Sequence, residues 1–374
     1  MLVRSFSQNG GLELYTYKVV TGILLRGHDV TVICEENDTQ LAHPQLTVRK
    51  FPPAPRGIGK SLRLLHYVKY ASDAVKESGP YDIVHSQHLP CTVANVVTFH
   101  NHTAARLSQV GLGWEQALSR VKMMFVPAYQ LRDRFDRMLC STASCLIFPA
   151  KICMDDFVNT YKVREINPHA LLAIVAPGAN LEKAPLVDRQ PTAPFTFLFV
   201  GKGFRKKGLD VLLQACAILR KSGVKFQLLI AGLREKPIDR LRLQWMGLQG
   251  CIQYLGFCKN MNEVYARASA IVLPSRIEPF GMAPIEGAAN GLVPIVSSMC
   301  GAAEAIEDGV SGYILKNCLD AAELARLMRS LIEDPTLTAT MASHAHCAAW
   351  EFPWDRAASE TLAAYEKTLS IIKS

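Results

Sequence analysis

Short apolar runs alternate with segments whose apolar residues recur every three or four positions, almost from one end of the chain to the other. In the first half the apolar runs predict strands at Val30 to Cys34, Leu46 to Phe51, Ile83 to Ser86, Val93 to Phe99, Cys145 to Pro149 and Leu172 to Val175, and the periodicity from Tyr15 to Arg26 predicts a helix that stops at Gly27. A second series predicts Phe195 to Val200, Phe226 to Ala231, Ile252 to Leu255, Ala270 to Leu273 and Val293 to Ser297, with a helix over Leu209 to Ser222. Runs that are apolar at nearly every position, rather than at every second one, belong to strands buried on both faces. Strands of that kind alternating with helices make parallel sheets covered by helices on both sides.

The fold class expected is therefore α/β, with two doubly wound, Rossmann-like domains facing each other across a cleft and a ligand outside the carboxyl ends of their strands. At 374 residues the chain is too long for one ordinary core and long enough for two. A linker is predicted near Pro177-Gly178, and Pro185, Pro191 and Pro194 make the following stretch extended and stiff. The domains expected are residues 1–180, joined by a C-terminal helix within 355–374 that packs back on them, and residues 181–354. The first strand is short, because only Met1 to Phe6 precede the Gly10-Gly11 turn, and residues that a complete gene product would carry are expected to be missing there.

Hydrophobic residues make up 49% of the chain and charged residues 20%, a globular composition without low-complexity tracts. A formal net charge of +8 suits anionic partners, a class that includes nucleotide diphosphates, anionic lipids and nucleic acids, so charge alone does not choose. The eleven cysteines are scattered through apolar stretches with no C-x-x-C pair, which reads as reduced, buried thiols of a cytoplasmic protein. Ten histidines include the pairs His85 with His88, His100 with His102 and His344 with His346, but none has partners at a zinc-site spacing, and no metal is expected. No run reaches the roughly eighteen apolar residues of a spanning helix.

Candidate chemistry concentrates after the predicted strands. Pro274-Ser275-Arg276-Ile277-Glu278-Pro279-Phe280-Gly281-Met282-Ala283-Pro284-Ile285-Glu286 sets two carboxylates at either end of a turn that opens a helix. Phe280, Gly281 and Met282 can turn backbone N–H groups to a ligand, a phosphate suits the positive end of the helix dipole, and carboxylates accept hydrogen bonds from vicinal hydroxyls. The plainer reading is two acids flanking a surface turn. Lys202, Arg205, Lys206 and Lys207 lie together before Gly208, where clustered cations would stabilise the charge on a leaving diphosphate; a solvated basic turn is the plainer reading. Gly10-Gly11 lets backbone approach a ligand, and Glu13 serves the helix that follows. His100 follows the strand from Val93 and can bond a sugar hydroxyl, while His85 and His88 read as packed or surface residues. From Ala105 to Leu139, Trp114, Met123, Met124, Phe125, Tyr129 and Phe135 are interleaved with six cations. That mixture fits either an anionic membrane surface or an amphipathic helix pair with its apolar side in the core.

Taken together these elements resemble the retaining glycosyltransferases of family 4, built on the GT-B fold. The resemblance is carried by Glu278 to Glu286 as the family's E-x-x-x-x-x-x-x-E element and by Gly201 to Gly208 as its diphosphate loop. Cys300-Gly301-Ala302-Ala303-Glu304 with Asp308-Gly309 to Gly312 matches its G-G-x-x-E…D-G-x-x-G segment. Gly10-Gly11-Leu12-Glu13 with Arg26-Gly27-His28-Asp29-Val30 matches its N-terminal pattern. The chain departs at Ala302, where a glycine is usual, and at Ala176-Pro177-Gly178-Ala179-Asn180, where P-N-G-V-D is usual. Residue by residue, the resemblance implies catalytic roles for Glu278, Lys207, His100 and Arg205. It implies donor-binding roles for Gly10, Gly11, Lys206, Phe280, Gly281, Met282, Glu286 and Gly301, with Glu286 on the ribose and Glu278 on the transferred sugar. Arg205 and Lys206 are both candidates for the companion of Lys207.

The closest subgroup resembles lipopolysaccharide-core glucosyltransferases. That implies a UDP-sugar donor, UDP-glucose before GDP-mannose, and a glycolipid or oligosaccharide acceptor. No cofactor or metal is implied beyond the nucleotide sugar, nucleic acid is not a partner, and residues 105–139 would touch an anionic membrane at the inner face of the cytoplasmic membrane. A sugar-nucleotide epimerase of the same fold would form product from donor alone, and a mannosyltransferase would use GDP-mannose. A dinucleotide oxidoreductase lacks its G-x-G-x-x-G fingerprint, and a lipid- or polysaccharide-binding module would not need Glu278 and Lys207 together.

Overall fold

A computed structural model describes residues 1–109, 113–179, 181 and 194–373. Pro185 and Pro191 of the expected stiff linker, and Asn180 of the junction motif, lie outside the described residues. The chain forms two compact units, Met1–Gly178 with Trp354–Ser374, and Ala179–Pro353.

The first unit begins with β1 (Ser5–Phe6), α1 (Gly11–Leu24), β2 (Val30–Cys34), β3 (Glu36–Asn37), β4 (Leu46–Lys50), α2 (Lys60–Ser78), β5 (His85–Ser86) and β6 (Val96–Thr98). It continues through α3 (Ala104–Ser108), α4 (Gly113–Phe125), α5 (Pro127–Thr142), β7 (Cys145–Phe148), α6 (Lys151–Tyr161), α7 (Val163–Ile166) and β8 (Leu171–Ile174). Strands β2 and β4 pair in parallel, as do β5, β6, β7 and β8 in that order. Leu2 joins the two groups by parallel bridges to Ile33 on one side and Ser86 on the other. Behind the sheet, Phe99, Phe148 and Phe157 pack ring on ring with centroids 4.2 to 5.6 Å apart, all fully buried. Each such side chain contributes roughly 1.5–3 kcal/mol of burial.

The second unit contains β9 (Phe195–Val200), α8 (Leu209–Lys221), β10 (Phe226–Ala231), α9 (Pro237–Trp245), β11 (Ile252–Gly256), α10 (Met261–Tyr265), β12 (Ala270–Leu273) and α11 (Met282–Ala289). After these come β13 (Val293–Ser297), a 3-10 turn at Gly301–Ala305, β14 (Tyr313–Leu315), α12 (Ala321–Glu333) and α13 (Pro335–Ala349). Its six strands form one parallel sheet in the order β11-β10-β9-β12-β13-β14. The chain winds outward in one direction from β9 to β11, then returns to the middle and winds the other way from β12 to β14. The loops after β9 and β12 therefore diverge at the switch point, where open α/β sheets leave a crevice for ligands.

The final helix, α14 (Trp354–Lys373), returns to the first unit and lies on α1. Small residues permit the approach, since a Cβ on Gly22 would stand 2.4 Å from that of Ala358. Arg26 closes the contact, reaching both oxygens of Asp355 at 2.9 Å. Strands β9, β10, β12 and β13 have the bounds their apolar runs predict, whereas β5 and β6 are shorter than predicted; β1 is the end of the short first strand expected within Met1 to Phe6, and β3 and β14 are too short to leave a run that can be read. All eleven cysteines are free, eight of them buried and Cys347 exposed.

Candidate functional site

In the second unit the loop after β9 and the loop after β12 meet backbone to backbone. Gly208 ends the basic loop with φ +75°, and a Cβ there would lie 1.9 Å from the Pro274 carbonyl oxygen, so glycine is required for both conformation and space. Arg276, one turn further on and only 5% exposed, holds the basic loop from beneath. Its Nη2 donates to Asp210 Oδ2 at 2.6 Å, its Nη1 to the Arg205 carbonyl at 3.1 Å, and its backbone N–H to the Lys206 carbonyl at 3.0 Å. With their carbonyls fixed, Arg205 and Lys206 present exposed side chains. From α9, the Arg242 guanidinium lies 4.3 Å over the Phe204 ring and braces the same loop.

The consequence is that the cations and the acidic turn converge: Lys207 Nζ stands 2.5 Å from Glu278 Oε2, both side chains largely but not wholly covered. The turn is anchored on the segment after β13. Glu278 N–H donates to the Met299 carbonyl at 3.0 Å, Gly301 N–H to the Glu278 carbonyl at 3.0 Å, and Ala302 N–H to the Phe280 carbonyl at 2.7 Å. Gly301 therefore spends its N–H on holding the turn. Gly281, with φ +90°, is the N-cap of α11, and a Cβ there would meet Cys300 Sγ at 2.7 Å. The N–H groups of Phe280, Gly281 and Met282 donate to nothing among the described residues and open the positive end of α11.

Glu286 lies one helical turn into α11, half-buried, and accepts from the Tyr265 hydroxyl at 2.8 Å. Burial raises its carboxyl above the ordinary range, and the Tyr265 bond offsets part of the rise. Burial also raises the Tyr265 phenol well above its usual value, so the hydroxyl stays a donor.

His100, Gly10 and Gly11 belong to the first unit. Gly10 and Gly11 are exposed at the start of α1, and Glu13 fills the place where a Cβ of Gly10 would stand, its Oε2 2.2 Å from that position. His100 follows β6 with its ring edge-on to Tyr15, centroids 5.0 Å apart. Its Nε2 lies 2.6 Å from Gln87 Oε1, and burial, then the charge of His88, push its pKa down to about 3, so the ring is neutral at physiological pH. Neighbouring His102 is buried against Asp156 at 3.0 Å, and its carbonyl accepts from Arg132 at 2.9 Å.

The stretch from Ala105 to Leu139 divides. Helix α5 buries Asp136, Leu139 and Cys140, as a core-facing helix does. Helix α4 buries no residue and leaves Trp114, Leu118, Val121, Met124 and Phe125 about half to three-quarters exposed. Among the described residues no helix is long and apolar enough to cross a membrane, and no group of three His, Cys, Asp or Glu side chains is gathered for a metal ion. Sequence reasoning passed over Arg276, Tyr265 and Gln87. A signal existed for Arg276, a cation three residues past the end of a wholly apolar strand, where burial is tolerated only with a partner.

Residues 9–183 match the family model described as Glycosyltransferase Family 4, and residues 185–346 the model described as Glycosyl transferases group 1. The D-inositol 3-phosphate glycosyltransferase 1 of Catenulispora acidiphila is 24% identical over 390 aligned positions, which cover 96% of this chain and 91% of that protein. Among solved structures, WaaG, a glycosyltransferase involved in lipopolysaccharide biosynthesis, superposes with a TM-score of 0.75 at 18% identity, over 99% of this chain and 98% of its own. Anabaena HepE in complex with UDP-glucose gives 0.66 at 19% identity, over 97% and 98%. At such identities the structural likeness speaks for the fold.

Proposed function

Since the chain belongs to the family 4 glycosyltransferases of the GT-B fold, we propose that it is a retaining hexosyltransferase moving glucose from UDP-glucose to a glycolipid or polysaccharide acceptor, with a lipopolysaccharide core as the first candidate. The observation that carries this reading is the meeting of Lys207 with Glu278 at the switch point of the second unit's sheet. A diphosphate would draw Lys207 to itself, with Arg205 or Lys206 beside it and the N–H groups of Phe280, Gly281 and Met282 at the start of α11. Glu278, released from its ion pair, would accept from hydroxyls of the hexose, and Glu286 from those of the ribose.

In this mechanism the acceptor hydroxyl attacks on the face the diphosphate leaves, and a departing phosphate oxygen takes its proton. The protein contributes position and charge, with no carboxylate acting as nucleophile. The cations and the helix terminus would carry the leaving-group charge without a resident metal, and turnover insensitive to EDTA is the expected outcome. HepE bound to UDP-glucose supports the donor, and WaaG's part in lipopolysaccharide biosynthesis supports the acceptor class. The inositol-phosphate enzymes support a second acceptor, a phosphorylated polyol.

For α4 we propose a peripheral seat on an anionic membrane at the cytoplasmic face, because its apolar side chains are exposed beside Arg120 and Lys122.

The test is a thermal-shift panel of UDP-, GDP- and ADP-sugars, since a ligand of the folded state raises its melting temperature. UDP-glucose should give the largest shift, and a shift with GDP-mannose alone would reassign the donor. Product formed from donor without acceptor would identify an epimerase instead. No shift with any nucleotide sugar would end the proposal.

A further inference from the structure

From Thr39 to Ser72 the chain contains no aspartate or glutamate and six lysines and arginines, whereas 33 acids in 374 residues would place about three acids there. Two of the six, Arg49 and Lys50, close β4, and Lys50 stands with Glu36 and Asp38 around the Cys34 thiol, so it has acids beside it. The other four, Arg56, Lys60, Arg63 and Lys69, are exposed and form no ion pair with any described residue. The acids nearest to them are already occupied or set back. Glu35 is buried, accepts from the Ala54 N–H at 2.9 Å and lies 3.8 Å from Arg4, and Asp73 is half-buried one turn beyond Lys69.

These four cations sit on one piece of structure. His66 donates from Nε2 to the Pro52 carbonyl at 2.8 Å, and Phe51 packs edge-on to Tyr67, so the loop that carries Arg56 lies against α2. Lys60 and Arg63 occupy the first turn of α2, which holds no acid and is capped by Gly59 without a side-chain bond. Cations at the positive end of a helix work against it, so folding alone gives no reason for them. While Tyr67, Ala71 and Val75 are buried in the core, Leu62 and Leu65 are 59% and 46% exposed. Lys69 follows Leu65 by four positions and shares its outward face.

We propose that Arg56, Lys60, Arg63 and Lys69, with Leu62 and Leu65 among them, form a docking surface for an anionic lipid bilayer: head groups meet the cations and the two leucines enter the acyl boundary. Charge and exposed apolar surface on the same face select this occupant. A soluble polyanion would leave both leucines in water. A nucleic acid would ask for exposed rings on which bases stack, and the exposed apolar side chains here are aliphatic. A second copy of the chain, meeting this face with its own, would set four cations against four. The surface lies on a different helix from α4 and acts mainly through charge, and its test needs no nucleotide sugar.

The experiment is co-sedimentation of the full chain with vesicles of phosphatidylcholine, with and without phosphatidylglycerol, over a range of NaCl concentrations. Wild type should bind the anionic vesicles far more tightly, with an affinity that falls as salt rises. Replacing Lys60, Arg63 and Lys69 together by Gln should weaken that binding by roughly a hundredfold, about fivefold for each cation withdrawn, and flatten the salt dependence. Leu62→Gln with Leu65→Gln should weaken it by about tenfold and leave the salt dependence as it was. Both losses should keep their proportion when Leu118, Met124 and Phe125 are also replaced by Gln, so a failure of the α4 seat leaves this result legible.

Equal binding of wild type to neutral and anionic vesicles would overturn the proposal, as would unaltered binding in the three-cation variant. A loss in that variant with none in the leucine variant would assign the face to a soluble polyanion and overturn it too. Tighter binding of a single-stranded oligonucleotide than of anionic vesicles, lost in the same variant, would assign it to nucleic acid. Should the triple variant melt lower than wild type, Lys69→Gln alone, in the middle of α2, should still lower binding about fivefold, and no change there would overturn the proposal.

Discussion

Arg276 and Asp210 join the turn after β12 to the first turn of α8, their guanidinium and carboxylate 2.6 Å apart, with Arg276 almost wholly buried. This pair, together with the two loop carbonyls that Arg276 also binds, fixes the height of the basic loop over the sheet. Lys207 can meet Glu278 because the loop is held there.

Removing one member of that pair leaves the other buried without its counter-charge. Arg276→Ala should lower stability by about 3 kcal/mol in urea unfolding and reduce turnover as the loop lifts. The double variant Arg276→Met with Asp210→Leu should recover stability and not activity. Wild-type stability in the single variant would show that the pair does not hold the loop.

Lys207→Ala should cut turnover by roughly a hundredfold, the order lost when a donor to a developing charge is removed. Glu278→Gln, which keeps shape and loses charge, should act mainly on donor affinity. Initial rates over a range of donor concentrations separate the two, and unaltered turnover in Lys207→Ala would contradict its place on the diphosphate.

Glu286 gives a pH dependence with a definite sign. Its folded carboxyl is raised by burial, so the folded state favours the protonated form more than the unfolded chain does. The stability it contributes is complete below the ordinary carboxyl value of 4.5 and is lost as pH rises through the folded value. Glu286→Gln, neutral at every pH and still able to accept from Tyr265, should melt higher than wild type at pH 7 and match it below about pH 4.5. A gap that widened on acidification would contradict the shift. Donor binding should weaken in the same variant.

Helix α4 offers the membrane test. Replacing Leu118, Met124 and Phe125 with Gln removes exposed apolar surface without touching a core, so melting should be unchanged. Co-sedimentation with vesicles containing anionic lipid should fall by about tenfold or more, since each buried side chain is worth roughly 1 kcal/mol or more of transfer. Equal sedimentation of wild type and variant would place the membrane contact elsewhere or nowhere.

Legibility varied with the range of the interactions involved. Strands such as β9 and β13 are apolar at nearly every position because both faces are covered, and that condition writes itself into consecutive residues. The Glu278-to-Glu286 turn and the Gly201-to-Gly208 loop were also readable, because both follow apolar runs and carry their special residues at short spacing. Tyr265 and Gln87 were not readable: each acts on a residue at least thirteen positions away, and nothing local distinguishes a tyrosine or glutamine that packs from one that orients a neighbour. The stretch from Ala105 to Leu139 shows the same limit, since α4 and α5 have similar amphipathic patterns and only packing separates the exposed face from the buried one.

By itself the sequence determined the alternation of strands and helices, the parallel character of the sheets, and which loops carry cations and carboxylates, because burial and turn chemistry act on neighbours along the chain. Tertiary structure decided that Lys207 reaches Glu278, that Arg276 pins the loop between them, and that Gln87 faces His100. Those relations depend on strand order and on the approach of one backbone to another, and residues brought together in that way leave no periodic trace in the chain that encodes them.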